Sequence, residues 1–350
     1  MKKVSKRILM LVLVIVLVLS FTACGGGDDD DGVYNLRLST LGNVGTPLYE
    51  SNRWFVNRVA ELTGGNVQIQ LFPASQLGDY ISVAGEVILG SVDMSWESVA
   101  VMYDDRLPLV SVPFLVSNWD EVAYTFDPVD GWYANFLAEV FADLGVLKLG
   151  GSPGNFLGVG GNNVGNIDDL FNPDIRKDAL LRIPPSPIPA LVFEVINYNI
   201  TVIPFADLYS ALQTGLAEAW WGGDPSLNYH GFRDVIQYYV AFDTVMEYYP
   251  ILINYENFRS LPVAYQEAIR QAALEASAVG KELHKNSVDY YFQRLRDYGI
   301  TVIIPTPEEL AALADRVRAE VWPQLGDIVD PAIVEDLLNH VEERNRHLRR

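Results

Sequence analysis

The sequence predicts an α/β protein of two lobes, and three observations carry that prediction. Strand-like and helix-like patterns alternate from Tyr34 to Ser98, with glycines at the breaks, which is the signature of an α/β layer. A second alternation follows Gly145. Finally, residues 33–350 exceed the ~250–300 residues at which a single hydrophobic core stops growing.

From the amino terminus, Lys2, Lys3, Lys6 and Arg7 precede an unbroken apolar run from Ile8 to Leu19. That run is shorter than the ~20 residues a membrane-spanning helix needs, so residues 1–23 read as a signal peptide. Phe21, Thr22, Ala23 and Cys24 look like a lipobox, and Cys24 is the only cysteine of the chain. Cys24 is therefore the expected site of cleavage and acylation, and no internal disulfide is available to the fold. Residues 24–33, including GGGDDDDG, read as a flexible acidic linker. Consecutive aspartates lack the looped spacing that brings oxygens together on calcium.

Tyr34, Leu36 and Leu38 alternate with polar residues as a half-buried strand does. Thr46 and Pro47 open a helix running to about Leu62. A strand follows at Val67, Ile69 and Leu71, with Gly64 and Gly65 before it and Gly78 beyond it. Val146 to Leu149 reads as a strand opening the second lobe, followed by a glycine-rich crossover whose spacing does not meet the dinucleotide-binding pattern. Val202 and Ile203 end an extended run, Pro204 and Phe205 turn the chain, and Ala206 to Thr214 reads as a helix stopped by Gly215. Pro262 to Tyr298 reads as one helix of roughly 55 Å, with Gly280 as its natural bend. Thr306, Pro307 and Glu309 form a capping box, and Asp330 with Pro331 starts a last helix whose basic end suits the helix dipole.

Without residues 1–23 the chain carries 21 basic against 45 acidic side chains, a net charge of −24. Electrostatic binding of nucleic acid is excluded by that balance, and capture of an anion would fall to isolated cations near a pocket. Arg182 is such a cation: it stands at a strand end with Pro184 and Pro185 restricting the backbone behind it, a fork held ready for a carboxylate. A surface ion pair with Asp174 or Asp178 is the alternative role. HExxH and P-loop patterns do not occur, and the four histidines read as solvated, so neither a catalytic set nor a cofactor or metal is expected.

LRIPPSP (Leu181 to Pro187) and PFADLYSALQTG (Pro204 to Gly215), with AELTGGNVQIQLFPASQLGD (Ala60 to Asp79), GSVDMSW (Gly90 to Trp96) and VPFLV (Val112 to Val116), occur in one order. Together they resemble the dicarboxylate-type solute-binding proteins of tripartite ATP-independent periplasmic (TRAP) transporters, across about residues 34–325. The resemblance implies a two-lobed periplasmic-binding-protein-like fold of type II, with a long helix crossing both lobes. Lobe I is expected from 34–152 with about 249–290, and lobe II from 153–248 with about 291–350. It implies an extracytoplasmic receptor that captures a small organic acid between the lobes and delivers it to membrane permease subunits. The lipid anchor would hold it in a periplasm or on the outer face of a cell membrane. A sensor receptor of the same fold is the second reading and an enzyme the third.

Arg182 matches the family's carboxylate-binding arginine. The family's frequent second arginine falls where GSPGNFLGVGG stands here, at Asn155 and Phe156, which favours a monocarboxylate or a ligand with a neutral far end. Phe156 remains a candidate contact. Trp220 and Trp221 stand where the family's chain re-enters the cleft, and on a strand they point to opposite faces, one to the core and one to the ligand. Gly222, Gly223 and Asp224 follow; this acidic tryptophan segment is similar to a branch binding oxo acids with a metal, but its ligand positions do not match. Trp96, Glu97 and Ser98 follow a strand end, and Thr40 and Asn43 lie on the first loop, where each is placed to reach a ligand. Tyr209 and Gln213 are expected to brace their helix, and Tyr80 and Tyr103 are weaker candidates.

Overall fold

The computed structural model describes residues 32–349; the expected signal peptide, Cys24 and nearly all of the acidic linker lie outside them. Eleven strands form two sheets among the described residues. The first sheet contains β1 (Tyr34–Ser39), β2 (Val67–Phe72), β3 (Met94–Trp96), β4 (Val146–Phe156) and β10 (Met246–Asn254), in the order β2-β1-β3-β10-β4. β1 pairs in parallel with β2 and β3, and β10 runs antiparallel between β3 and β4. The second sheet contains β5 (Gly158–Gly161), β6 (Lys177–Ile183), β7 (Tyr198–Val202), β8 (Ala219–Gly223), β9 (Tyr238–Val240) and β11 (Thr301–Ile303), in the order β11-β9-β5-β8-β6-β7. The α/β pattern is thus realised as two lobes.

The helix termini follow from the local sequence. Thr46 caps the Pro47–Leu62 helix by accepting the Tyr49 N–H at 3.3 Å. Asp79 caps Tyr80–Leu89 through the Ser82 N–H at 2.9 Å, and Gly90 stops it with φ 78°. Phe205–Thr214 ends at Gly215, whose φ of 74° is the left-handed cap expected of glycine. The capping box at Thr306 is complete: its hydroxyl accepts the Glu309 N–H while Glu309 accepts the Thr306 N–H.

Two expectations are revised. β4 is eleven residues long and closes the edge of the first sheet, where β10 pairs along its length, rather than being a short strand that opens the second lobe. The long helix is two: Val263–Lys285 and Val288–Tyr298. Its break falls at Asn286 and Ser287, whose side chains donate to the carbonyls of Glu282 and His284 at 2.8 Å each, so local side-chain bonds compete with the backbone ladder there. Gly280 stays helical. Its role is close approach: a Cβ there would stand 2.7 Å from Ser152 Oγ, and one on Gly150 would stand 2.6 Å from Ser277 Oγ. The Val263–Lys285 helix therefore lies directly on β4, with the Ser277 hydroxyl accepting the Gly151 N–H at 3.0 Å.

One apolar cluster gathers around Trp96, Phe55 and Ile251 beneath the first sheet. A second, around Trp220, Phe232 and Tyr239, fills one side of the second sheet. The largest includes Trp221, Phe193 and Phe242 together with residues of the carboxy-terminal helices Pro307–Val321 and Pro331–Leu348.

The helix-on-strand contact yields a stability prediction. Gly280→Val overpacks a buried seam and is expected to cost about 1–3 kcal/mol, read as a lower denaturant midpoint at unchanged m-value. Adding Ser152→Ala should return part of the loss, and equal losses with and without it would refute the proposed clash.

Candidate functional site

A cavity of about 90 Å³ opens between the two sheets. From the second sheet it is walled by Arg182 on β6, by Trp220, Trp221 and Gly222 on β8, and by the turn Pro184–Ser186. From the first it is walled by Ser98 beyond β3 and by Glu247 and Tyr248 on β10, with Tyr80 and Phe205 at one side. Strand ends converging from two sheets make this the crevice where open α/β folds hold ligands.

Arg182 occupies the centre of that argument. It is 2% exposed. Its Nε donates to the Ile203 carbonyl at 2.7 Å and its Nη1 to the Trp221 carbonyl at 3.4 Å. Nη2 is buried with no protein acceptor. Burial lowers the guanidinium to about 10, opposed by the Tyr80 phenol, so it remains a cation at neutral pH. The surface ion pair is not formed: Asp174 pairs with Arg316 and Asp178 with Arg176. The guanidinium is buried, and two backbone carbonyls offset part of the cost of its desolvation.

The adjacent tryptophans do point to opposite faces. Trp220 packs against Phe232, with ring centres 4.5 Å apart, and donates its indole N–H to Asn228 Oδ1 at 3.2 Å. Trp221 packs near Phe193 and donates to Thr244 Oγ1 at 2.8 Å. They belong to different apolar clusters, yet both border the cavity, so the division into one core ring and one cleft ring does not hold.

Ser98 lines the cavity; several other predicted contacts do not. Trp96 is fully buried in the first core, edge-on to Phe55. Glu97 is buried behind Ser98, and burial, reinforced by Asp79, pushes its carboxyl up to about 8, with only the Leu41 backbone opposing. Thr40 is buried and its hydroxyl accepts the Gly42 N–H at 3.2 Å, bracing the first loop. Asn43 faces a neighbouring surface cleft together with Tyr209. Phe156 ends β4 and packs on the main core, leaving Leu157 on the cavity wall. Asp224 is a cap: Oδ1 accepts the Leu227 N–H at 2.7 Å and the Ser226 hydroxyl at 2.8 Å, and Oδ2 accepts from Asn155 at 3.3 Å. Its position after Gly223 and before Pro225 was the sign of a cap that the reading of the sequence passed over.

Tyr103 donates to the Ile81 carbonyl at 2.9 Å and stays off the wall. Of the histidines, His284 is buried, with Nδ1 2.8 Å from the Gly280 carbonyl, rather than solvated. Among the described residues no group of three or more His, Cys, Asp or Glu converges as a metal set.

Sequence reasoning missed Glu247. It lies beside Ser98, which favours its charged form, while burial pushes the carboxyl up to about 7. Nothing local in MEYYPILIN marks it, because only the pairing of β10 between β3 and β4 brings it to the cleft.

Comparison with known proteins adds family-level evidence. The family model described as bacterial extracellular solute-binding protein, family 7, matches residues 38–325. The chain is 25% identical over 305 residues to the 2,3-diketo-L-gulonate-binding periplasmic protein of Escherichia coli, covering 83% of this chain and 85% of that protein. It is 24% identical over 286 residues to a monocarboxylate 2-oxoacid-binding periplasmic protein of a Nostoc species, covering 76% of this chain and 72% of that one. The crystal structure of a sugar acid binding protein from Advenella mimigardefordensis with galactonate superposes with a TM-score of 0.79 at 19% identity, over 89% of this chain and 99% of that one.

The buried Glu97 gives a pH prediction. Its folded pKa is raised from 4.5 to about 8, so its neutral form stabilises the fold below pH 4.5 and that contribution is lost as pH rises towards 8. Glu97→Gln should therefore gain on the parent protein as pH goes from 5 to 8.5, by up to ~1.4 kcal/mol per pH unit. Denaturant titrations at three pH values measure this; a difference that does not change with pH would contradict it.

Proposed function

Because the chain belongs to bacterial extracellular solute-binding protein family 7, whose members are solute-binding proteins and not enzymes, we propose that it captures a small monocarboxylate in the interlobe cavity and hands it to a TRAP permease. The observation that carries this reading is the buried Arg182, which lines that cavity and whose Nη2 has no protein acceptor.

The chemistry follows from the arrangement. A carboxylate against Arg182 replaces lost hydration with charge-assisted hydrogen bonds, which are roughly twice as strong as neutral ones. Around it the indole rings, Leu157 and Val245 exclude water, which strengthens the same interaction. About 90 Å³ is well below the ~300–1,000 Å³ of drug-sized pockets, which favours a short acid over a long one. Arg182 and Trp221 come from one sheet, and Ser98, Glu247 and Tyr248 from segments of the other. A ligand touching both sets favours the closed arrangement, so occupancy and lobe closure are linked. The 2-oxoacid-binding relative and the diketo-gulonate-binding relative support an acid as the solute class. The second arginine is missing here, with Asn155 engaged by Asp224 and Phe156 by the core, which supports one carboxylate rather than two. Tethering by an acylated Cys24 completes the proposed receptor: it would keep the domain at the membrane that holds the permease.

Two tests follow. Arg182→Met keeps bulk and removes charge; it should weaken carboxylate binding at least about a hundredfold, ~2.7 kcal/mol. The readout is thermal unfolding with mono-, di- and keto-carboxylates, with neutral sugars as controls, since ligand at a hundred times Kd stabilises by ~2.7 kcal/mol. An acid that stabilises both proteins equally would remove Arg182 from the site. Cys24→Ser should move the protein from the membrane fraction to the soluble fraction, and unchanged partitioning would refute the anchor.

A further inference from the structure

The cavity has two charged walls of opposite sign. Among the described residues, Arg182 and Glu247 are the only Lys, Arg, Asp or Glu side chains lining it, the first on β6 of the second sheet and the second on β10 of the first. They are not paired with each other: Arg182 spends two of its donors on backbone carbonyls, and Glu247 stands beside the Ser98 hydroxyl. Opposite charges that share a cavity without meeting leave room for a ligand that answers both.

The field around Glu247 sharpens the requirement. Asp224 acts on Glu247, and Asp79 and Glu247 act on Tyr80, which lines the same space; Tyr249 on β10 also feels Glu247, while Glu97, pushed up to about 8, is mostly neutral at pH 7. Arg182 is the only cation among the groups acting there. Beside Glu247 the cavity is therefore negative. A second carboxylate placed there would meet like charge at low dielectric, whereas an ammonium would meet a carboxylate acceptor.

We propose that Glu247 is the specificity-determining residue of the cavity and that the ligand is a small zwitterion, its carboxylate held by Arg182 and its ammonium by Glu247 with Ser98. This rests on the carboxylate-binding role of Arg182 and extends it by naming the second pole. The Glu247 carboxyl, raised to about 7 by burial, is partly protonated at neutral pH. Binding an ammonium favours its ionised form, so a proton leaves as the ligand enters. A 2-oxo acid makes the opposite demand, because its carbonyl oxygen needs a donor and would hold the protonated form.

The experiment compares alanine and β-alanine with propionate, lactate, pyruvate and succinate, by thermal unfolding and by calorimetry at pH 7 in two buffers of different ionisation enthalpy. The expected result is at least tenfold tighter binding of an amino acid than of propionate, with net proton release. Glu247→Gln should erase that preference and narrow the gap between amino acid and succinate. Tighter binding of pyruvate or succinate, proton uptake or no proton exchange, or an amino preference unchanged in Glu247→Gln would each overturn the proposal. Should Glu247→Gln not fold, the proton count on the parent protein decides alone. Failure of the underlying carboxylate reading looks different: no acid of any class would then shift the unfolding of the parent protein, and Arg182→Met would be indistinguishable from it.

Discussion

The antiparallel pairing of β4 with β10 is the constraint on which the rest of the molecule depends. The ladder runs from Met246 opposite Phe156 to Asn254 opposite Val146, with two register shifts along it. At the Phe156 end β4 passes within one residue into β5 of the other sheet, so this pair carries the chain from one lobe to the other. At the same end it sets Glu247, Tyr248 and Leu157 on the cavity wall. On its face lies the Val263–Lys285 helix, admitted by Gly150 and Gly280. Lengthening or shifting this one pair by a residue would turn each of these side chains to the opposite face.

The polar groups near the cavity divide by whether protein or ligand completes them. Asn155 donates to both Asp224 and Ser287, which ties the end of β8 to β4 and to the break between the two long helices. Both indole N–H groups find side-chain acceptors. Arg182 is different, because it lines the cavity with its Nη2 buried and without a protein acceptor, as are the Ser186 and Tyr248 hydroxyls on the same wall. The low dielectric that makes a bare buried charge costly also strengthens any hydrogen bond that completes its shell.

Most of the fold was legible. Caps at Thr46, Gly215 and Thr306 rest on interactions within four residues, and the sequence shows such interactions directly. The break at Asn286 and Ser287 is local too, yet it was passed over, because glycine was weighed as the bend former and competing side-chain bonds were not. Gly280 was read for flexibility when its reason lies across space, in Ser152. At the site, Arg182 and Ser98 line the cavity, and so do both tryptophans, although their alternation on a strand pointed to only one of them. Trp96, Thr40, Phe156 and Asp224 do not, because a strand end gives a direction but not which of two faces is filled by core. Glu247 was illegible for the converse reason: it lies far along the chain from the other first-sheet segment it joins.

The close contact of glycines with the Val263–Lys285 helix separates the part of this molecule that cannot vary from the part that can. A Cβ at Gly150 or Gly280 would be met by a buried serine hydroxyl at under 3 Å, so substitutions are resisted whatever the protein is asked to bind. Much of the cavity wall is instead supplied by connecting segments, Ser98 to Met102 and Pro184 to Ser186, which bear no ladder bonds of either sheet. Change in those segments therefore leaves the skeleton untouched, which fits a fold that is retained in a solved structure sharing only 19% of its residues with this chain.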